Sequence, residues 1–266
     1  MKRFTAKAFS GSARRVAAAL ALFAFWAIAA AAVKRPMLPG PAEAVSAMYA
    51  AALRGPLLRH LGISVLRALA SLAAAFVPAL ILGVAAGRSR ATDQALSPTA
   101  YLLSPIPKTA LLPVILLFLG LGNASKVFLV ALILFFPFYL AIRDETRGIE
   151  RSWYDSFATL GGSRREALFH VTLPAILPRL WSTLRTSAGT AFSVLFLAET
   201  FATRDGIGWY IMDAWTRLEY GQMYGGIIAL GLAGLAITVA FDAAERLTCP
   251  WTGSGTGEGE RGRNDG

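Results

Sequence analysis

The sequence has very few of the residues that disulfide scaffolds and metal sites require. Among its 266 residues, the single cysteine, Cys249, excludes an internal disulfide framework. Two histidines, His60 and His170, are too few for a zinc site of the His/Cys type, and neither has a partner at ligand spacing. We therefore predict no metal site. The composition also excludes intrinsic disorder and collagen-like repeats.

Charged residues are scarce as well. They make up 16% of the chain, whereas soluble proteins carry about 25%. Hydrophobic residues account for 55%. In a soluble protein the net charge of +10 would suggest a nucleic-acid ligand. With this apolar content, the sequence instead predicts a membrane protein that contacts the lipid bilayer and has no nucleic-acid partner.

Six apolar segments can cross a bilayer, whose core of about 30 Å requires about 20 helical residues. Three of them carry no charge: 16–33, 68–87 and 221–241. A fourth, 101–125, is interrupted by Pro105, Pro107 and Pro113. The last two are 127–142, extended by Lys126 reaching toward the headgroups, and 186–203, where Glu199 is the only charge. The predicted fold class is an all-α polytopic membrane protein with six transmembrane helices.

The distribution of Lys and Arg predicts the orientation of this domain, 16–249. The inner segments of the six-span topology hold 16 of these residues and the outer segments hold 7, which places both termini in the cytoplasm. Residues 1–15 form a basic cytoplasmic N-terminus, and residues 250–266 a disordered Gly-rich cytoplasmic tail. The N-terminus also resembles a signal peptide, but its long apolar run and the five following spans favour a retained first span.

The inner loop between spans four and five, about 143–181, has the pattern of a helical hairpin. Ser152 to Asp155 and Ser163 to Glu166 both have the form of a capping box, which begins a helix. Gly161 and Gly162 between them suit the left-handed backbone that ends a helix. The second helix is expected to stop before Pro174, because proline disfavours helical backbone at the preceding residue. The alternative interpretation is a simple amphipathic linker.

The spacing in this loop resembles the signature of a transporter family. Asp155-Ser-Phe, Gly161, Val171 and Leu173-Pro174 reproduce the intervals of the loop E-A-A-x3-G-x9-I-x-L-P. That loop is found in the membrane subunits of bacterial binding-protein-dependent ABC importers. The opening triplet departs from Glu-Ala-Ala, which leaves open how the first helix contacts its partner.

Further motifs resemble the nitrate/sulfonate/taurine permease group and extend the resemblance over about 36–246. They are Leu38-Pro-Gly-Pro41, the segment from Ser104 to Pro113 with Gly120 and Gly122, Ala198-Glu199, and Asp205-Gly-Ile-Gly-Trp-Tyr210. The resemblance implies a permease in the bacterial inner membrane that pairs with a second copy, two ATPase subunits and a periplasmic binding protein. The imported solute would be a small anion such as nitrate, taurine or another sulfonate.

The absence of a phosphate-binding loop agrees with this division of labour. No G-x-x-x-x-G-K-[ST] motif occurs in the sequence, so ATP and Mg²⁺ are expected on the ATPase, and this chain binds no cofactor. We expect a transport subunit without catalytic residues. Two other classes stay open: an ion-coupled secondary transporter, which predicts paired intramembrane acids, and an intramembrane enzyme, which predicts a catalytic constellation within the spans.

The candidate site residues lie in three regions. For contact with the ATPase they are Asp155, Ser156, Phe157, Gly161, Arg164, Arg165, Leu173 and Pro174. An apolar face for docking would come from Phe157, Leu160, Leu168 and Phe169, which could also pack on the spans. Candidates for the translocation path are Pro105, Pro107, Lys108 and Glu199. The alternative role of Glu199 is that of a carboxylate at the membrane interface. The outer-loop motif contains Gly206 and Gly208.

Three further predictions concern charged or polar residues near the spans. Arg67 and Arg185 are expected to snorkel to the headgroups. The segment 37–62 is interpreted as an amphipathic helix at the outer surface, with His60 on its polar face.

Overall fold

All regular structure in the described residues is helical, which confirms the predicted all-α fold class. The computed structural model describes the backbone of residues 2–201 and 203–253 and the side chains from residue 17 onward. The helices are α1 (Lys2–Val33), α2 (Pro41–Arg54), α3 (Leu57–Arg88), α4 (Arg90–Leu103), α5 (Leu112–Leu119), α6 (Asn123–Gly148), α7 (Arg151–Thr159), α8 (Leu173–Thr200), α9 (Ile207–Thr216) and α10 (Tyr220–Thr248).

Three helices of the described part are long and apolar enough to cross a membrane: α3, α6 and α10. A fourth crossing is possible through α4 and α5, which meet at an angle of 82°. The apolar part of α1, Ala17–Val33, is shorter. The count of six spans therefore stays a prediction.

The centre of the fold is the close crossing of α3 and α6. A Cβ atom added to Gly83 would lie 2.9 Å from the Cβ of Ile142, and one added to Gly87 would lie 2.5 Å from the Cβ of Thr146. Small residues at these positions let the two helices approach closely, which is a common way of packing helices in membranes. The main core surrounds this crossing and includes buried side chains of α8, such as Ile176 and Leu195.

The break between α4 and α5 is held together by Lys108. Its ammonium group donates hydrogen bonds to the carbonyl oxygens of Leu103, Ser104 and Ile106, at 2.9, 2.8 and 3.3 Å. It also lies 4.6 Å from the ring centroid of Phe136, and the residue is 8% exposed. The carbonyl groups freed by the break thus find a donor inside the protein. Pro105 and Pro107 lie exposed in the break, and Pro113 lies in the first turn of α5.

Two residues predicted to snorkel have partners within the protein instead: Lys126 is buried, and Arg185 is partly exposed. Lys126 is fully buried, and its ammonium group binds the carbonyl oxygens of Leu121 and Gly122, so it caps the preceding turn and does not extend to the headgroups. Arg185 forms ion pairs with Asp242 and Glu245 and so connects α8 with α10. In both cases a partner within the protein replaces the aqueous boundary as the source of stabilisation.

The segment 37–62 is two helices, not one amphipathic helix. α2 ends at Arg54, and α3 begins at Leu57, after Gly55 and Pro56. Because Pro56 has no N–H to donate into α2, the chain restarts there, and the new helix continues through the predicted second span. α2 packs against α10.

The prediction of a disordered tail from residue 250 is wrong for its first four residues. Pro250–Gly253 form a helical turn, in which the backbone N–H and the hydroxyl of Thr252 both donate to the carbonyl oxygen of Cys249. The remainder of that prediction, 254–266, lies outside the described residues.

Candidate functional site

The hairpin between α6 and α8, which we call the coupling hairpin (149–172), is closed at Gly161. This residue has φ = +84°, the left-handed conformation that the sequence predicts. Its N–H donates to the carbonyl of Ala158, and the N–H of Gly162 donates to the carbonyl of Phe157. These two bonds form a Schellman motif, which satisfies carbonyls at the end of α7. A Cβ atom at Gly162 would overlap the ring of Phe157, so a larger residue there would displace that ring.

One of the two predicted capping boxes is present. The backbone N–H and the hydroxyl of Ser163 donate to Glu166, at 2.8 and 2.7 Å, and the N–H of Glu166 donates to the hydroxyl of Ser163. The two hydrogen bonds that Ser163 donates, first that of its backbone N–H and then that of its hydroxyl, lower the pKa of the Glu166 carboxyl group, since they favour its charged form. The box predicted at Ser152 is wrong. α7 begins at Arg151, and the Ser152 hydroxyl donates to the Glu150 carboxylate.

The second helix of the hairpin does not stop before Pro174. Residues Leu168–Thr172 form a wider π-helical turn, in which the N–H of Leu173 donates to the carbonyl of Leu168, and this turn leads directly into α8. Leu173 keeps helical backbone angles, and Pro174 lies in the first turn of α8, where a missing N–H is tolerated. The hairpin is therefore continuous with a long helix of the core.

The coupling hairpin exposes large apolar side chains. Trp153, Leu160 and Phe169 are 54%, 86% and 55% exposed. Phe157 is half-buried, with its ring stacked on His170. Leu168 follows the alternative stated for this set, because it packs against the main core and is not part of this exposed face. Trp153 was missed from the sequence, since the family signature begins after it.

The polar candidates of the hairpin are also exposed. Asp155, Ser156, Arg164 and Arg165 are open to solvent, and Asp155 is 4.0 Å from Arg151 on the same helix. For Arg164 and Arg165, no carboxylate among the described residues lies within ion-pair distance. Their charges are available to a partner.

A second constellation, which we call the outer charged cluster, is centred on the carboxylate of Glu199 at the end of α8. This side chain is fully buried. It accepts hydrogen bonds from the Ser64 hydroxyl at 2.7 and 2.8 Å, from Arg67 at 2.7 Å and from the N–H of Gly208 at 3.0 Å. A buried carboxylate with this many donors is stabilised as a charged group.

Arg67, which is 6% exposed, connects the carboxylate to two further elements. Its guanidinium group donates to the side-chain oxygen of Asn123 at 2.6 and 2.9 Å, and to the carbonyl of Asp205 at 2.9 Å. The predicted snorkelling of Arg67 is therefore wrong. Arg67 instead pairs with the Glu199 carboxylate inside the protein. The sequence alone does not show that these two residues are neighbours. The cluster joins α3, the start of α6, the end of α8 and the start of α9.

The two glycines of the outer-loop motif let the chain approach Glu199. Gly206 has φ = +112°, and a Cβ atom there would overlap the Glu199 carboxylate. A Cβ at Gly208 would lie 2.7 Å from the carbonyl oxygen of Phe196. The N–H of Gly206 donates to Nδ1 of His60, which is 4% exposed and so lies in the core, not on a polar face.

The comparisons with known proteins decide the family. The model of the family described as the binding-protein-dependent transport system inner membrane component matches residues 79–252. The chain belongs to this family. This permease is 30% identical over 222 residues to a Bacillus subtilis protein named as an aliphatic sulfonates transport permease, SsuC, covering 84% of this chain and 80% of that protein.

Two relatives from Escherichia coli have similar names. The taurine transport system permease protein TauC is 27% identical over 241 residues, which cover 88% of each chain. The protein named as an aliphatic sulfonates transport permease, SsuC, is 31% identical over 215 residues, which cover 81% of this chain and 82% of that protein. These relatives are transport subunits and not enzymes, and they support the predicted sulfonate/taurine group within the ABC importers.

Both charged candidates for the translocation path form hydrogen bonds within the permease. Lys108 fastens a helix break, and Glu199 is bonded to Arg67, Ser64 and Gly208. One sequence signal of the outer charged cluster is visible in retrospect. His60, Ser64 and Arg67 follow at intervals of four and three, which places them on one face of α3. A polar row in an otherwise apolar helix indicates internal partners.

Proposed function

We propose that this permease forms the membrane path of an ATP-driven importer, and that the coupling hairpin binds a separate ATPase subunit. The carrying observation is the exposed apolar face of Trp153, Leu160 and Phe169 on a hairpin closed by a left-handed glycine. Exposed apolar side chains on a helical segment are typical of a surface that docks into a groove of a partner. Family membership supports the same assignment.

The proposed assembly contains two copies of the permease, two ATPase subunits and a periplasmic binding protein that delivers the solute. In this assembly both termini and the coupling hairpin lie on the cytoplasmic side of the inner membrane, which the distribution of Lys and Arg supports. ATP and Mg²⁺ bind to the ATPase and not to this chain.

The proposed solute is a small sulfonate, with taurine and short aliphatic sulfonates as the first compounds to test. Three relatives that align with most of this chain are named for sulfonate or taurine transport. Nitrate, which the sequence motifs alone leave open, becomes a control compound.

A continuous path of helices supports force transmission from the hairpin to the outer side. The π-helical turn joins the hairpin to α8 without a break, and Glu199 lies in the last turn of α8. There the outer charged cluster fixes α8 to α3 and α9. A displacement of the hairpin would therefore move the outer end of α8 together with its partners, because packed helices move as rigid elements.

The experiment is uptake into proteoliposomes that contain the permease with its ATPase and binding protein. Leu160→Glu places a charge on the most exposed apolar residue of the hairpin, and Leu247→Glu is the matched control, since Leu247 is 83% exposed and lies outside the hairpin. We expect ATP-dependent taurine uptake and stimulated ATP hydrolysis to fall at least tenfold in Leu160→Glu and to persist in Leu247→Glu. Equal activity of Leu160→Glu and the unmodified protein would overturn the proposed docking.

A further inference from the structure

A cavity of about 790 Å³ separates the coupling hairpin from the inner ends of α3 and α6. Its lining includes Arg88 of α3, Thr146 and Arg147 of α6, and Arg151, Asp155 and Arg164 of the hairpin. The volume lies within the range of about 300–1,000 Å³ that small-molecule sites occupy. The exposed apolar residues proposed for the ATPase, Trp153, Leu160 and Phe169, do not line the cavity, whereas Asp155, Phe157 and Arg164 of the predicted contact set do.

The cavity carries an excess of positive charge. Four arginines line it with one carboxylate, Asp155. Arg147 forms an ion pair at 2.8 Å with Asp93, a residue that does not line the cavity. No carboxylate of the described residues lies within 4.0 Å of Arg88 or Arg164. Instead, Arg88 donates a hydrogen bond to the backbone carbonyl of Arg164. Arginines that face the same cavity repel each other. An anion bound between them would attract both and so offset that repulsion.

A second, independent feature indicates a missing hydrogen-bond partner. The hydroxyl of Thr146 has no partner among the described residues, although the residue is only 3% exposed and lines the cavity. Buried hydroxyl groups in proteins nearly always have a partner, because an unpaired polar group is costly. A ligand with acceptor oxygens would satisfy it.

The first helix of the hairpin, α7, has few contacts that fix it to the spans. Within α7, whose residues are all described, no side chain is buried. Apolar packing therefore contributes little to the position of α7. An anion in the cavity would bridge α3, α6 and the hairpin through charge-assisted hydrogen bonds, which are about twice as strong as neutral ones.

We propose that this cavity binds a tetrahedral oxyanion, either a phosphate or a sulfonate group, between Arg88, Arg164 and the Thr146 hydroxyl. Guanidinium groups match the geometry of such oxygens, and basic pockets at the cytoplasmic ends of membrane helices bind lipid phosphates. The ligand is thus an anionic lipid headgroup or a free oxyanion of the cytoplasm. The binding of this ligand does not rest on the proposed function.

The test measures thermal unfolding of the full-length permease in nanodiscs without the ATPase or the binding protein, so its outcome is separate from that of the transport proposal. One arm uses phosphatidylcholine discs, with phosphate, methanesulfonate or chloride added at equal ionic strength. The other arm compares phosphatidylcholine discs with discs that contain phosphatidylglycerol. A saturating ligand should raise the unfolding temperature by about 5 °C.

Each outcome has a defined meaning. A shift with phosphate or methanesulfonate identifies a free anion, and a shift only with phosphatidylglycerol identifies a headgroup. The double variant Arg88→Gln/Arg164→Gln should abolish the shift, and Thr146→Val should reduce it. The control Arg90→Gln/Arg179→Gln removes the same charge from exposed positions outside the cavity and should keep it. No shift in either arm, or a full shift in Arg88→Gln/Arg164→Gln, would overturn the proposal.

Discussion

Truncation of Glu199 to alanine should destabilise the permease strongly. In the variant Glu199→Ala, Arg67 remains buried at 6% exposure, and only Asn123 and the carbonyl of Asp205 remain to accept its hydrogen bonds. Removing one partner of a buried ion pair costs about 3–5 kcal/mol of the free energy of unfolding. The Ser64 hydroxyl and the N–H of Gly208 also lose their acceptor. For a chain of this size we expect the unfolding temperature to fall by about 6–20 °C.

The chain supplies its own reporter for this measurement. Cys249 is its single cysteine and is 1% exposed. A thiol-reactive maleimide dye therefore becomes fluorescent only when the region around Cys249 opens. The variants are compared in the same detergent at the same heating rate, because the unfolding of membrane proteins is often irreversible.

Two variants serve as controls for the charge itself. Asp205→Asn removes a carboxylate that is 41% exposed and paired with the exposed Arg59 at 3.0 Å. Such surface pairs contribute about 0–1 kcal/mol, so this variant should unfold within about 3 °C of the unmodified protein. Arg67→Met/Glu199→Leu should recover part of the loss, because no unpaired charge stays buried.

The opposite result would assign Glu199 to transport. If Glu199→Ala unfolds at the same temperature as the unmodified protein but loses uptake, the carboxylate interacts with solute and not with Arg67. The assignment of the outer charged cluster to stability would then be refuted.

The remaining predictions concern local features. Gly161→Val should reduce ATPase stimulation, because left-handed backbone costs a residue with a Cβ atom about 1–2 kcal/mol, whereas Gly161→Asn should retain most of it, since asparagine tolerates that conformation. Lys108→Met leaves three carbonyls at the α4–α5 break without their donor, and the unfolding temperature should fall by about 2–8 °C. Ser163→Ala removes the capping box, and faster hydrogen exchange is expected at 163–167, with Thr159→Ala as an exposed control that should leave this exchange unchanged. The pKa of Glu166 is lowered from its ordinary value of 4.5, so the contribution of the box to stability is present above pH 4.5 and is lost as the pH falls through the lowered pKa. Hydrogen exchange at 163–167, measured against pH, checks this prediction. A rate that does not depend on pH after correction for intrinsic exchange would contradict it.

The features of the hairpin that depend on neighbouring residues could be predicted from the sequence. The left-handed Gly161 and the box of Ser163 with Glu166 each involve hydrogen bonds between residues at most five apart. The prediction at Ser152 was wrong because α7 begins earlier, at Arg151, so Ser152 lies within the first turn and not at the capping position. The helix was expected to end before Pro174, but a π-helical turn leads directly into α8, and Pro174 lies in the first turn of that helix.

The outer charged cluster could be predicted only in part. Its members Glu199, Gly206 and Gly208 were singled out by the family motif, but the role of Arg67 depends on a contact across 132 residues of sequence. Snorkelling is the default expectation for an arginine near a span end when its surroundings are unknown. Burial beside a carboxylate reverses that expectation, and only the packing of α3 against α8 brings the two together.

Site-specific crosslinking from the coupling hairpin tests the central claim most directly. A cysteine is placed at Leu160 or at Leu168 in a Cys249→Ala background, and the permease is expressed with its ATPase. Leu160 is 86% exposed, whereas Leu168 packs against the core, so only the cysteine at 160 should crosslink to the ATPase. Crosslinking to the ATPase from neither position, with the cysteine at 160 modified instead by a lipid-phase reagent, would contradict the docking of this hairpin on a nucleotide-hydrolysing partner.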